Sequence, residues 1–128
     1  MDPIRVLVAN RPRLIRELVM VTISDQPDIE IVGEIQDEVQ LVKAVEDTRP
    51  DFLIVALEKS NRLPDVCRTI LLDYPQVRII AIASDRNISM SYWTSLHIES
   101  SQIETSEAGL LSAIRERSQS MSMLQRWP

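Results

Sequence analysis

Residues Phe52 to Leu57 read FLIVAL, six apolar residues in a row. A strand with one wet face would alternate apolar and polar side chains. A short, unbroken run rich in branched residues is instead what a central parallel strand needs when helices cover both of its faces. Moving back toward the start, Ile4 to Ala9 (IRVLVA) repeats the pattern between Pro3 and the polar Asn10-Arg11-Pro12 turn, and reads as a second buried strand. Between the two, Leu14, Ile15, Leu18, Val19, Thr22 and Ile23 recur at helical spacing, with Pro12 suited to a first turn. Ile29, Ile31 and Ile35 then alternate with Glu30 and Glu34, which predicts a shorter strand nearer the sheet edge. Asp37 followed by Gln40 resembles a capping box ahead of a second helix whose inner face is Leu41, Val42 and Val45, and Arg49-Pro50-Asp51 ends it.

Moving forward, Asp65 to Tyr74 predicts a third helix with Val66, Ile70, Leu71 and Tyr74 inward, and Val77 to Ala83 (VRIIAIA) a further buried strand. Ile88, Tyr92 and Leu96 suggest a fourth helix, and the polar stretch Glu99 to Thr105 a short, irregular strand. Ala108 to Arg117 (AGLLSAIRER) carries Leu110, Leu111 and Ile114 at helical spacing and makes a fifth helix despite Gly109. Five strands alternating with five helices imply an α/β fold with right-handed crossovers: a flavodoxin-like (βα)5 doubly wound parallel sheet of strand order 2-1-3-4-5. The domain is expected to occupy residues 1–117, with 118–128 a tail or an extension of the last helix. In such sheets the functional crevice lies beyond the carboxyl ends of the strands where the order reverses, here near Asn10-Arg11 and Ala56-Leu57.

The bulk properties narrow the function. With 128 residues, 45% of them apolar, the chain suits one domain, and a net charge of -5 repels phosphate backbones and anionic membranes. No nucleic acid and no membrane is therefore expected as a direct partner. Cys67 is the only cysteine, so no disulfide can form within the chain and no paired thiols suggest a zinc site or a redox pair, and a cytoplasmic setting fits best. Gly33 and Gly109 are the only glycines, which weighs against a phosphate-cradling loop.

The segments IRVLVANRPRLIREL, QPDIEIVGEIQDEVQLVKAVEDTRPDFLIVAL and YPQVRIIAIAS, in that order, resemble the receiver domains of two-component response regulators, especially the NarL-like branch of this CheY-like fold. AGLLSAIRER is similar to the family's last helix, whereas Ser91 to Thr105 matches poorly. In that family two acidic residues after the first strand hold a divalent metal, and an aspartate ending the third strand accepts a phosphoryl group. The resemblance puts Asn10 and Arg11 at the acidic positions and Ala56 at the acceptor. It puts Ala83 at the hydroxyl position after the fourth strand with Ser84 beside it, Ile103 near the conserved lysine, and Ser100 near the switch aromatic. Alanine offers no oxygen for an acyl phosphate, and Arg11 places a fixed cation where magnesium would sit. The resemblance thus implies a degenerate pseudo-receiver, not an enzyme, with no metal and no cofactor.

Several residues admit two readings. Arg11 either pairs with a carboxylate such as Glu58 or is simply solvated, and Glu58 sits two residues past the place for a phosphate mimic. His97, the only histidine, lacks companions for catalysis, and Cys67 suits a small core residue. Tyr92 and Trp93, adjacent on the expected fourth helix and about 100° apart, cannot both point inward, so one is a candidate anchor on an interaction face. Trp127 joins them if the last helix continues through the tail, with Met123 and Leu124 on the same side; a frayed terminus is equally economical. The expected partner is a protein, either another regulator or a histidine kinase, with a homodimer as a further option. The rival reading is a sensor that takes an anion or other small ligand into the vacated crevice.

Overall fold

A computed structural model of the chain describes residues 2–9, 13–57, 62–83, 88–95 and 98–115. The strands are β1 (Ile4–Ala9), β2 (Ile29–Glu34), β3 (Phe52–Ala56), β4 (Arg78–Ala83), β5 (Ile88–Thr94) and β6 (Ile98–Ile103), and the helices α1 (Arg13–Ser24), α2 (Leu41–Thr48) and α3 (Asp65–Asp73). Residues 107–115 are helical and form α4. They make one sheet of order β2-β1-β3-β4-β5-β6. β1 through β4 are parallel, as expected of strands joined by helical crossovers. β5 runs antiparallel to β4, and β6 antiparallel to β5.

The expected fourth helix is therefore a strand, and the chain departs from a (βα)5 arrangement. Ile88 and Tyr92 are four residues apart, and a spacing of four satisfies a period of two as well as it satisfies a helical turn. The intervening residues decide. Ile88, Met90 and Tyr92 pack against the core layer of α2 and α3, while Ser89 and Ser91 are buried on the other side. The segment ISMSYWT is rich in β-branched and aromatic residues and poor in strong helix formers. The strand expected within Glu99 to Thr105 exists as β6, a full six residues at the sheet edge.

Two apolar layers sandwich the sheet. Leu7, Leu53, Val55, Ile79 and Ala81 meet Leu41 and Val45 of α2 and Cys67, Ile70 and Leu71 of α3. On the opposite side Val6, Val8, Phe52, Ile54 and Ile80 meet Val19 and Ile23 of α1 and Leu110, Ala113 and Ile114 of α4. Phe52, Leu53 and Ile54, successive residues on β3, are each at most 1% exposed. Burial at about 1.5–3 kcal/mol per large side chain makes this strand the centre of the domain. Thr94 at the end of β5 donates its hydroxyl to the Leu71 carbonyl at 2.8 Å, tying the hairpin to α3.

Helix ends follow local chemistry. Asp37 accepts the Val39 N–H at 3.0 Å, so it caps a 3-10 turn (Glu38–Gln40) that leads into α2, and Gln40 makes no side-chain cap bond. The expected capping box is thus absent. α2 ends on Arg49, whose left-handed backbone (φ 49°, ψ 60°) lets its N–H bond the Val45 carbonyl. α4 begins at Glu107, one residue earlier than expected, because Ser106 accepts the Gly109 N–H at 2.9 Å. Gly109 has ordinary φ. A Cβ there would stand 2.1 Å from the Glu104 carbonyl oxygen, so glycine is required by close backbone approach. Arg115 holds the carboxylate of Asp28 with two hydrogen bonds of 2.9 Å, fastening α4 to the turn before β2.

Candidate functional site at the carboxyl ends of the strands

β1, β3 and β4 each end in alanine: Ala9, Ala56 and Ala83. Ala9 lies opposite Val55 and Ala56 opposite Ile82, so the ends of the three central strands stand side by side. The Leu57 N–H continues the ladder to the Ile82 carbonyl at 2.9 Å. Ala56 is half-buried and Ala83 is buried. A floor of methyl groups carries neither a nucleophile nor a charge, and a hard divalent cation takes oxygen ligands. Among the described residues no group of three or more His, Cys, Asp and Glu side chains is placed to hold a metal ion. The donor set that the described strand ends supply therefore does not fit magnesium.

Ala56 and Ala83 are brought together on neighbouring strands, but Ile103 is not. β5 and β6 follow β4 in the sheet, so Ile103 at the end of β6 is three strands from Ala56. At ~4.8 Å per strand that is roughly 14 Å, too far for the role a lysine next to β4 would play. Ser100, matched to the switch aromatic, is exposed and lies directly opposite Tyr92 of β5. Asn10, Arg11, Glu58, Ser84, His97 and the tail with Trp127 lie outside the described residues.

Tyr92 and Trp93 do not share a surface. Being successive residues of a strand they point to opposite sides of the sheet, and both are half-buried. Tyr92 packs on the α2/α3 layer, where burial, with Cys67 adding a smaller effect, raises its phenol above the usual tyrosine range. Trp93 lies beside Arg78, whose guanidinium carbon is 6.0 Å from the ring centre, at the outer limit of a cation–π contact. The expectation that one aromatic projects from a helix as an anchor is thus corrected: the strand gives each ring a wall to lean on.

The hairpin also creates a feature that the sequence reading missed. A cavity of about 110 Å³ opens between α1, α4 and the ends of β4, β5 and β6. Ser89 and Thr105 share a hydrogen bond of 2.7 Å there, and Thr22 donates to the Glu107 carboxylate at 3.2 Å. Ser89, polar yet only 2% exposed, is the residue whose type hinted at it.

No family model matches the chain. Among curated proteins, it is similar to a protein-glutamate methylesterase/protein-glutamine glutaminase of Pyrococcus abyssi, 32% identical over 83 residues, which cover 63% of this chain and 22% of that protein. A second enzyme of the same name from Koribacter versatilis is 36% identical over 59 residues, 46% of this chain and 16% of that one. The chain thus spans about a fifth of the length of these relatives. Among solved structures, the receiver domain of the putative response regulator NarL from Mycobacterium tuberculosis superposes with a TM-score of 0.56 at 21% identity, covering 66% of this chain and 68% of that one. The response regulator domain of Thermotoga maritima CheB gives 0.52 at 25% identity, covering 62% and 60%. The isolated receiver domain of RcsB from Salmonella enterica gives 0.53 at 17% identity, covering 62% and 61%. Together with the strand order and the two helical layers, these likenesses identify the fold as that of the response-regulator receiver, CheY-like and flavodoxin-like, ending here in an antiparallel hairpin.

Proposed function

We propose that this chain is a phosphorylation-independent receiver module that acts through protein contacts in two-component-type regulation. The observation that carries the reading is Ala56, the last residue of β3, where a methyl group stands between the ends of β1 and β4. Phosphoryl transfer to a receiver needs a carboxylate nucleophile and a cation that offsets the charge on the phosphoryl oxygens. Neither is offered by Ala9, Ala56 or Ala83, and Asn10 and Arg11 would replace a metal-binding acidic pair with a neutral amide and a fixed cation. The apolar strands build the receiver shape, while their described ends offer none of this chemistry. A shape without chemistry is useful as a binding surface, and the partner we favour is another regulator or a histidine kinase, or a second copy of the chain.

Incubation with acetyl phosphate and magnesium, followed by intact-mass measurement, tests this reading. The expected spectrum is that of the unmodified chain. A stoichiometric, base-labile phosphoryl adduct would sink it.

A further inference from the structure

We propose that the cavity between α1, α4 and the ends of β4, β5 and β6 binds a small primary amine whose short apolar chain fills the cavity and whose ammonium group sits at Glu107. The walls are Val19, Ile82, Ile103 and Leu110, all members of the same core layer or packed on it. Apolar walls favour a hydrocarbon body, because water there gains few hydrogen bonds. At its rim stand Glu104 and Glu107, and among the described lining residues there is no lysine, arginine or histidine. The rim therefore selects for positive charge, in a molecule whose net charge is already -5.

The head-group partner has spare capacity. A carboxylate accepts about four hydrogen bonds, and Glu107 receives one from Thr22 at 3.2 Å. The hydroxyls of Ser89 and Thr105, 2.7 Å apart, add acceptor lone pairs on the same cavity lining. Size sets the chain length. A closed apolar cavity of about 150 Å³ admits benzene, so this one, at about 110 Å³ and open to the surface, takes a chain of three or four carbons with its polar end outward. The site owes its existence to the hairpin. β5 supplies Ser89, and β6 carries Ile103 and the link to α4 out beyond β4. It lies on the α1/α4 side of the sheet and does not depend on how the crevice at Ala56 is read.

The test is a titration of the full chain with n-butylammonium chloride at constant ionic strength, followed by methyl resonances of Val19, Ile82, Ile103 and Leu110. Saturable shifts are expected, with affinity rising about fourfold per methylene from ethyl- to butylammonium and with n-butanol binding more weakly than n-butylammonium. Glu107→Gln should weaken n-butylammonium severalfold while leaving n-butanol unchanged. Absence of saturable shifts overturns the site. Equal binding of the amine and the alcohol to the wild-type chain overturns the head-group assignment, and this comparison stands even if the variant does not fold.

Discussion

Replacing Gly109 by alanine sets two effects of opposite sign against each other. In an exposed helix, alanine is favoured over glycine by about 0.8–1.0 kcal/mol. Here the new Cβ would fall 2.1 Å from the Glu104 carbonyl oxygen and 2.8 Å from both the carbonyl carbon and the Cβ of Glu104. The obstacle is mainly backbone, so the start of α4 must move away from the end of β6 by about an ångström. That movement stretches the 2.9 Å bonds from the Gly109 and Leu110 N–H groups to Ser106. Overpacking of this kind costs about 1–3 kcal/mol. Taking the upper end for a rigid obstacle and subtracting the helix gain leaves about 2 kcal/mol of destabilisation. With about 2.1 cal/mol/K of unfolding entropy per residue, a chain of 128 residues should lose about 7 °C in Tm. Thermal melting followed by far-ultraviolet circular dichroism reads this directly. A rise of about 4 °C, the value of helix propensity alone, would show that the packing of α4 against β6 is not as described.

Two further substitutions probe other joints. Arg115→Gln should lower Tm modestly at neutral pH: the guanidinium bonds hold the Asp28 carboxyl below the usual carboxylate range, so this contribution is present above that range and is lost as pH falls through the depressed value. The gap between the two melting curves should accordingly close in acid and narrow in high salt, and a gap independent of pH would refute the pairing. Arg49→Gly should raise stability by about 0.5–1 kcal/mol in urea denaturation, because glycine adopts the left-handed helix end without the Cβ penalty. A loss would mean that the Arg49 side chain holds the end of α2 in a way the backbone geometry does not reveal.

The parts of the fold that could be read from sequence were those in which one period excluded the other. FLIVAL and VRIIAIA are too short and too uniformly apolar for surface helices, and they are β3 and β4. Asp65 to Tyr74 buries Cys67, Ile70 and Leu71, a spacing that only a helix satisfies, and it is α3. Ile88 and Tyr92 satisfied both periods, and the deciding residues were serines, whose burial is a tertiary property with no local signature. At the site, the position of Ala56 at the end of β3 was legible from the run FLIVAL, and an alanine has no side-chain oxygen in any fold. The displacement of Ile103 was not, since it depends on an extra strand entering the sheet between it and β4.

An ordinary parallel neighbour obliges the chain to climb back along the whole sheet, and the climb leaves a helix on the surface as its record. By finishing on a ribbon, this molecule omits one climb, and the far end of the sheet is a rim of amides and carbonyls belonging to Ile98–Ile103. A protein shaped to grip a helix beyond that edge would find no ridge there among the described residues. What the rim offers is main-chain pairing, so recognition at this end would proceed by laying down another strand.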